Sequence, residues 1–491
     1  MKQQVFRRAW LPLVLGVVLS GCSLAPKYER PQAPVPAQLP LAGAAAESSD
    51  MAADLGWREF FRDPQLQALI ELALENNRDL RMAVYRVDEA RGLYGVQFSD
   101  RLPTIGIGGQ GQLTRLPEDM RQPGADSVTR TYQAGLGITS FEIDLFGRVR
   151  NLSEAAYQQY LATEAGRRTA HIALVAQVAQ AYFSLRAAEQ QYALAGSTLK
   201  ARQQSYDLVK LRYDNGVAGA LDLNQASSQL ESVRADLVQF ERLKTQAANA
   251  LQLLLGQSVP ADLPTAATFG KDQLLAQVPV GLSSEVLLRR PDIDSAEHQL
   301  LGANANIGAA RAAFFPNISL TGILGFASPA LGGLFGSGNR YWTFQPNITM
   351  PIFAGGTVGN LQVAEARKNI AIAQYEKSIQ TAFREVADAL AGEATYAAQL
   401  DALRRLEQSA AESLELSRLR YDNGIDSFLQ VQTAEITLFT TQQQFIQVGL
   451  ASLTNRVELY KALGGGWNAD TVSETSPDTE QAASTTQGDA S

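Results

Sequence analysis

The chain has very few of the side chains that usually build enzyme and metal sites. Its 491 residues include one cysteine, Cys22, and only two histidines, His171 and His298, which stand far apart in helix-like sequence. No disulfide and no cysteine–histidine metal cluster is therefore expected. The sequence also lacks a phosphate-binding glycine loop and the nucleophile turn of hydrolases. We predict no enzymatic activity, no cofactor and no bound metal.

Charge and hydropathy exclude two further classes of protein. The formal net charge is −8, and it becomes −11 if the three N-terminal cations Lys2, Arg7 and Arg8 are removed with a leader. Such a chain is not a polyanion binder, so nucleic acid is not expected as a partner. After Cys22 no apolar run reaches the roughly 20 residues of a membrane-spanning helix. If the mature chain crosses a membrane, it must do so as a β-barrel.

The N-terminus has the features of an export signal. A short cationic stretch precedes the apolar run Trp10–Leu19, and Leu-Ser-Gly leads into Cys22. This order is typical of a cleaved signal and not of a membrane span. The ending resembles a bacterial lipobox, which implies a lipoprotein signal peptide over 1–21 and acylation of Cys22, with palmitate among the acyl groups. Ser23 in place of an aspartate favours sorting to the outer membrane of a Gram-negative bacterium. The alternative is an ordinary secretory signal with a chance cysteine.

Neither end of the mature chain has the composition of a folded core. Residues 22–56 are rich in proline and alanine and are interpreted as a lipidated, extended tether. Residues 468–491 contain no lysine or arginine and many Ser, Thr, Asp and Glu side chains, which is typical of a disordered acidic tail. The folded part is therefore expected between 57 and 467.

An internal repeat is the main architectural signal in this part. The run Leu-Arg-Tyr-Asp-Asn-Gly-Val at 211–217 recurs at 419–425 with only the last residue changed, to Ile. We predict two repeats, 57–260 and 261–467. Units of this length are too long for a solenoid and indicate two halves of one pseudo-symmetric body.

Each half shows the same order of elements. A helical segment is followed by two segments of alternating apolar residues, a long proline-free helix and a shorter returning helix. Each long helix would measure about 100 Å and ends at Asn-Gly, a typical C-cap. The first half is predicted as helix 64–100, strands 104–116 and 131–145, and helices 148–214 and 221–255; the second as helix 283–314, strands 317–328 and 341–353, and helices 358–422 and 429–463.

Four strands are too few to close a membrane barrel, since the smallest bacterial examples have eight. Open edges are not tolerated in lipid, so either the strands form a soluble sandwich or several chains share one barrel. Three chains would supply twelve strands. In a barrel, Trp342, Phe344 and Ile348 would face lipid, and Tyr132 and Tyr341 would join Trp342 in an interfacial aromatic belt.

Several motifs together resemble one family. They are the lipobox, Glu-Ile-Asp-Leu-Phe-Gly-Arg ending at Arg148, Arg-Arg-Pro-Asp-Ile starting at Arg289, the two Arg-Tyr-Asp-Asn-Gly turns, and Leu-Gly-Gly-Gly-Trp ending at Trp467. From Trp57 to Trp467 the chain resembles the TolC-like outer-membrane efflux factors, in the OprM-like lipoprotein branch. The resemblance implies a mainly α-helical homotrimer with a shared twelve-stranded transmembrane β-barrel and a periplasmic α-helical tunnel. It also implies a periplasmic adaptor protein and an inner-membrane pump, expected to be of the RND type, as partners.

The resemblance also gives roles to the two Asn-Gly turns, as free tips of helical hairpins where the adaptor docks and near which the channel closes. Tyr421 falls on a family tyrosine that bonds an acid at the position of Asp222, while Leu429 and Thr433 fall on ring positions. Some members carry acids where this chain has Gln430 and Thr433, so a hydrophobic Leu429 ring is favoured. Otherwise the turns are only caps and the tyrosines only packed aromatics. The expected docking residues are Arg212, Asn215, Gly216, Arg420, Asn423 and Gly424.

The expected function is a trimeric exit duct for drugs and other small molecules, and hence a role in antibiotic resistance. Three copies each of Asp222 and Asp426 would favour cations at the narrow end. One alternative is an exit duct for type I protein secretion, built on the same fold. A second is a trimeric adhesin with a coiled-coil stalk, although a stalk would not duplicate a strand pair and a hairpin.

Overall fold

The computed structural model describes residues 23–40, 52–121, 124, 126–267, 269–270, 273–274 and 283–470. The predicted signal peptide over 1–21, the acylation site Cys22 and residues 471–491 of the predicted tail lie outside the described residues. None of the helices in the described part is both long and apolar enough to cross a membrane.

The elements follow the predicted order in both halves of the chain. The fold is mainly α-helical with one four-stranded sheet, and the two long helices end where the sequence predicts. The strands are β1 (Ile105–Arg115), β2 (Val128–Glu142), β3 (Asn317–Ser328) and β4 (Arg340–Thr349). The helices are α1 (Trp57–Phe60), α2 (Pro64–Asn76), α3 (Arg78–Ser99), α4 (Arg148–Asp214), α5 (Ala220–Leu255), α6 (Pro291–Ala312), α7 (Gly355–Asp422) and α8 (Phe428–Ala462).

The chain divides into two units, and each takes segments from both repeats. One comprises Met1–Gln32, Tyr85–Ala165 and Ser295–Lys377, and its described part contains all four strands. The other comprises Ala33–Val84, Gly166–Asp294 and Ser378–Ser491. The second unit contains both Asn-Gly turns and the helical segments that lead into and out of them.

The predicted first helix, 64–100, is wrong in being continuous, because Asn77 divides it into α2 and α3. The Asn77 backbone N–H donates to Ala73 O at 2.8 Å, while its side-chain oxygen accepts from Leu80 N at 2.9 Å. Asn77 has extended backbone dihedrals, and its side chain accepts from the backbone N–H three residues later, which is the geometry of a helix N-cap. Its amide nitrogen also donates to Leu254 O at 2.9 Å. The cap formed by Asn77 and its bond to Leu254 O therefore interrupt the helix, although the sequence pattern predicts a continuous one.

The predicted helix over 283–314 also begins too early. Residues Ser284–Arg289 form a 3₁₀ turn, and α6 starts at Pro291. A proline disfavours the helical conformation of the residue before it but is well suited to the first position of a helix. The proline of the Arg-Arg-Pro-Asp-Ile motif thus fixes the start of α6.

The sheet is an antiparallel meander in the order β1-β2-β3-β4. Directly paired residues share a face, and one such row is fully apolar and exposed: Ile107, Leu136, Leu324 and Trp342. Ile107 is 87% exposed and Trp342 is 72% exposed. Tyr341 pairs with Gly325 in the next row and therefore lies on the opposite face. The predicted grouping of Tyr341 with Trp342 and Tyr132 is wrong, because neighbouring residues on a strand alternate between faces.

Strands β2 and β3 come very close together at one glycine pair. Gly135 pairs with Gly325, and a Cβ placed on either residue would overlap the backbone of the opposite strand. Further along, the pairing shifts between Ile138 and Phe141, where Ser140 has a φ of 51°. A bulge of this kind bends the strand and increases its twist.

The predicted tether is extended but fastened in its first residues. Ser23 Oγ donates to Asn151 Oδ1 at 2.8 Å, and Arg30 makes two hydrogen bonds to the Glu297 carboxylate at 2.9 and 2.8 Å. The described residues Ser23–Pro40 contain no helix and a single isolated bridge. This segment is therefore a strap along the protein surface and not a free spacer.

Candidate functional site

Both Asn-Gly turns are glycine C-caps with the same geometry. Gly216 and Gly424 have φ of 73° and 71°, a left-handed conformation that only glycine adopts easily. Val217 N donates to Arg212 O at 2.8 Å, and the second turn makes the equivalent bond at 2.9 Å. These bonds span the glycine as in a Schellman motif and satisfy the last carbonyls of α4 and α7. The prediction that Asn-Gly ends each long helix is confirmed.

Beneath the turns, buried apolar residues from both hairpins form one cluster. It comprises Val209, Ala226, Leu414, Phe428 and Val431, with Tyr206 and Tyr421 packed against it. Tyr421 lies at the cluster's edge, with its ring centroid 5.4 Å from that of Phe428. The two hairpins thus share a core close to their tips, which gives the exposed tip side chains a fixed frame.

One arginine connects the two turns. The Arg212 guanidinium lies 4.7 Å from the centroid of the Tyr421 ring, a cation–π contact, and its Nη2 is 3.3 Å from Asp422 Oδ1. Arg212 belongs to the first repeat, and both of its partners belong to the second. The aromatic ring of Tyr421 is therefore held between Arg212 and Phe428.

The equivalent arginine of the second turn, Arg420, stays within its own turn. It donates two hydrogen bonds to the Asp426 carboxylate, at 2.6 and 3.1 Å. The corresponding position in the first repeat is Ala218, which offers no carboxylate. The Arg420 hydrogen bonds lower the pKa of Asp426 and raise the pKa of Arg420. The negative charge that the sequence led us to expect at Asp426 is therefore compensated locally.

Asp222 lies in the first turn of α5, where it has a local role. Its Oδ2 accepts from the backbone N–H of the N-cap residue Gly219 at 3.4 Å, the one capping bond possible here because glycine has no side chain to return it. Among the described residues, Asp222 and Tyr421 are not hydrogen-bonded to each other in this single chain. A gate bond between these two side chains would therefore have to join neighbouring copies.

The two predicted ring positions differ in what they present. Leu429 projects from the first turn of α8 with half of its surface exposed. The Thr433 hydroxyl donates to the backbone carbonyl of Leu429 at 2.9 Å, so its hydrogen bond is made within α8. A groove of about 320 Å³ runs alongside, lined mainly by the small or polar side chains Ser409, Ala410, Ser413, Ser417, Gln430, Thr433, Ala434 and Thr437.

The predicted docking residues surround an apolar tip. Val217 and Ile425, at matching positions beyond the two glycines, are both mostly exposed. Asn215 and Asn423 each turn the side-chain amide back, donating to the carbonyl four residues earlier at 2.7 Å. Each tip therefore presents one aliphatic side chain beside an amide that completes the cap.

The predicted lipid-facing residues Trp342, Phe344 and Ile348 lie on one exposed face of β4. Phe344 pairs with Gly322 and Ile348 with Ile318. Thr343 lies between Trp342 and Phe344 in the chain but on the other face of the sheet, paired with Ile323. The assignment of Trp342, Phe344 and Ile348 to one face of β4 and of Thr343 to the other therefore agrees with the strand pairing.

Sequence analysis missed a buried ion-pair cluster around Arg290 in the second unit. Arg290 donates to both carboxylate oxygens of Asp292, to Glu385 Oε2 at 2.8 Å and to Ala462 O at 2.8 Å. It joins the start of α6 to α7 and to the end of α8. The Arg-Arg-Pro-Asp-Ile motif thus has a structural role. Its proline is the one signal in the sequence that could have predicted the start of α6.

The two histidines lie on different helices, His171 on α4 and His298 on α6. Burial, with a smaller contribution from Arg167, lowers the pKa of His171 to about 4, and its ring lies 4.9 Å from that of Trp467. His298 Nδ1 is 2.6 Å from Gln158 Oε1. Within the described ranges, no three histidine, cysteine or carboxylate side chains are placed to hold a metal ion.

Comparisons with known proteins agree on one family. The family model "Outer membrane efflux protein" matches residues 69–257 and 282–465. The chain is 47% identical over 462 residues to the toluene efflux pump outer membrane protein TtgC of Pseudomonas putida, covering 93% of this chain and 95% of that one. It is 44% identical over 458 residues to the outer membrane protein OprJ of Pseudomonas aeruginosa, with 93% and 95% covered. The open state of the Neisseria gonorrhoeae MtrE outer membrane channel has a TM-score of 0.84 and 42% identity, covering 92% of this chain and 100% of that one.

Proposed function

Because this chain belongs to the outer membrane efflux protein family, we propose that it is the outer-membrane channel of a tripartite efflux system. Among its relatives, TtgC of Pseudomonas putida is named a toluene efflux pump outer membrane protein. The observation that carries the proposal is the duplicated unit of a strand pair and a long helical hairpin. We infer a transport role for drugs, solvents and other small molecules, with no catalysis and no cofactor.

The sheet supports assembly into a trimer. In the described residues β1 and β4 are each paired on one side only, which leaves two strand edges for other chains. Three copies would close twelve strands with no free edge in lipid. The exposed apolar face would then contact lipid through Trp342, Phe344 and Ile348. The opposite face, with side chains such as Gln133, Thr343 and Gln345, would line the lumen.

We assign the partners by the same reasoning. The exposed tips around Gly216 and Gly424 are proposed to dock a periplasmic adaptor, which connects the channel to an inner-membrane pump of the RND type. Acylation of Cys22 is proposed to add a lipid anchor in the outer membrane. Two or three acyl chains anchor a protein stably, whereas one does not.

The gate is proposed to lie at the hairpin tips. Three copies of Leu429 would form an apolar ring, and Tyr421 of one copy would bond Asp222 of the next. The position of Tyr421 at the edge of the tip cluster and the exposure of Leu429 support this assignment. The cation–π contact of Arg212 would hold the Tyr421 ring in place for such a bond.

The test uses a bacterial strain that lacks its own outer-membrane efflux channel. The full-length chain, expressed with a cognate adaptor and pump, is expected to restore resistance to toluene and to antibiotics. The same strain carrying a type I secretion substrate and its transporter tests the alternative. Restored secretion without restored resistance would replace the efflux proposal by protein export. Native mass measurement in detergent, with a trimer expected, tests the assembly separately.

A further inference from the structure

The two hairpin loops of the sheet differ sharply in charge. The β1–β2 connection carries four charged side chains, Glu118, Asp119, Arg121 and Asp126. The β3–β4 connection has no charged side chain between Ser328 and Arg340. β3 follows α6 and β4 leads into α7, so this uncharged loop lies at the far end of the hairpin from those helices.

The uncharged loop is well ordered. Leu331–Gly333 form a 3₁₀ turn, and Asn339 Nδ2 donates to Gly333 O at 2.6 Å. Ser328 Oγ accepts from Ala330 N at 3.2 Å, while the Leu334 side chain is buried beneath the loop. Despite this order, Leu331 and Phe335 remain 65% and 73% exposed. A folded loop that holds two large apolar side chains outward is unfavourable in water.

The Phe335 side chain continues the apolar face of the sheet. The Phe335 ring packs edge-on against Phe326, with centroids 5.5 Å apart and planes at 71°. Phe326 lies two residues from Leu324 and so shares its face, which is the face that carries Trp342. The loop therefore extends the exposed apolar surface beyond the last strand pairs.

We propose that the loop 329–339 is embedded in the outer leaflet of the membrane, with Leu331 and Phe335 among the lipid acyl chains. The proposal rests on the proposed function, which places the sheet in the outer membrane. Charged side chains are costly in hydrocarbon, and this loop contains none. The charged β1–β2 loop is incompatible with that environment and stays in water. The two loops of one sheet thus lie at different depths.

Spin-label accessibility tests the depth directly. Phe335→Cys and Leu331→Cys are each made in the full-length chain, labelled with a nitroxide and reconstituted in vesicles of phosphatidylcholine and phosphatidylglycerol. The unsubstituted chain serves as the labelling blank for Cys22. Collision rates with oxygen, which concentrates in lipid, and with a water-soluble nickel chelate are compared. Phe344→Cys is the reference for the sheet face, and Met120→Cys, which is exposed on the other loop, is the aqueous reference.

Both labels on the β3–β4 loop are expected to collide more with oxygen than with nickel, as at Phe344→Cys, whereas Met120→Cys shows the reverse. Nickel accessibility equal to that of Met120→Cys, with Phe344→Cys still in lipid, would overturn the inference and leave the channel proposal intact. Low accessibility to both reagents would also overturn it, because a neighbouring copy would then cover the loop. Nickel accessibility at Phe344→Cys would instead reject the proposed membrane location of the sheet.

Discussion

The guanidinium of Arg212 lies over the ring of Tyr421, 4.7 Å from its centroid, and so joins the hairpin tip of one repeat to that of the other. The equivalent arginine, Arg420, cannot do the same, because Asp426 holds it in its own turn. The position that matches Asp426 in the first turn is Ala218, which offers Arg212 no carboxylate. The pseudo-symmetric tips are bound together in an asymmetric way.

Arg212→Gln is expected to loosen the tips. An exposed ion pair and an exposed cation–π contact each contribute about 0.5–1 kcal/mol, and three copies would bias the closed state by a few kcal/mol. Mean conductance in planar bilayers should rise, and cells should become more sensitive to vancomycin. Arg234→Gln, which removes an exposed pair with Glu231 away from the tips, is the matched control. Equal conductance in the two variants would mean that Arg212 does not hold the gate.

Tyr421→Phe removes the hydroxyl and keeps the ring, so it tests the proposed hydrogen bond separately from the ring contacts. The ring keeps its contacts with Arg212 and Phe428, so only the proposed bond to Asp222 of a neighbouring copy is lost. A charge-assisted hydrogen bond contributes about 1.5–3 kcal/mol, and the open fraction should increase accordingly. Asp222→Ala should raise the open fraction in the same way. The double variant Tyr421→Phe with Asp222→Ala should open little more than either single variant, because both remove the same bond. If these variants and Leu429→Ala all conduct like the wild type, the constriction lies elsewhere.

Phe344→Arg should destabilise the assembled channel by about 2–4 kcal/mol, since it places a charge on the lipid face near mid-membrane. Thr343→Arg, one residue away on the opposite face, should have a much smaller effect. The midpoint of denaturant-induced unfolding in detergent-free vesicles measures both. Similar losses in the two variants would contradict the assignment of faces.

Gly325→Ala should impair folding of the sheet. Its Cβ would overlap the β2 backbone at Ala134 and Gly135, and overpacking of this kind costs about 1–3 kcal/mol or more where backbone must move. Gly106→Ala is the control, because a Cβ there meets nothing within 4 Å. The yield of heat-resistant oligomer on unboiled gels distinguishes them, and a normal yield for Gly325→Ala would show that β2 and β3 can separate without cost.

The tips should be insensitive to pH across about pH 5 to 8. The pKa of Asp426 lies below its ordinary value of 3.8, so the stabilisation from Arg420 is fully present above that value and is lost as the pH falls through the lowered one. Conductance of the wild type should therefore change only below about pH 4. Asp426→Asn should remove that acid transition, and a wild-type transition near neutrality would point to another titrating group.

Local sequence alone determined the element order and most helix ends. Proline-free runs of good helix formers closed by Asn-Gly predicted Arg148–Asp214 to the residue, because propensity and the glycine cap act within a few residues of each other. Alternation likewise predicted β3 with its observed bounds. The same local pattern could not predict the break at Asn77, where the side chain also bonds Leu254 O far along the chain.

Tertiary structure decided which side chains meet. Strand register placed Trp342 in one row with Leu324, Leu136 and Ile107, and a shift of one residue would move it to the other face. The choice of Asp422 and Tyr421 by Arg212 depended on how the hairpins pack, since both partners belong to the other repeat, whereas Arg420 bonds Asp426 within its own turn. The sequence therefore determined the repeated elements and their caps, whose causes are local. The contacts of Arg212 were decided by packing, because they join residues about 200 positions apart and the energy of each depends on the geometry that the fold supplies.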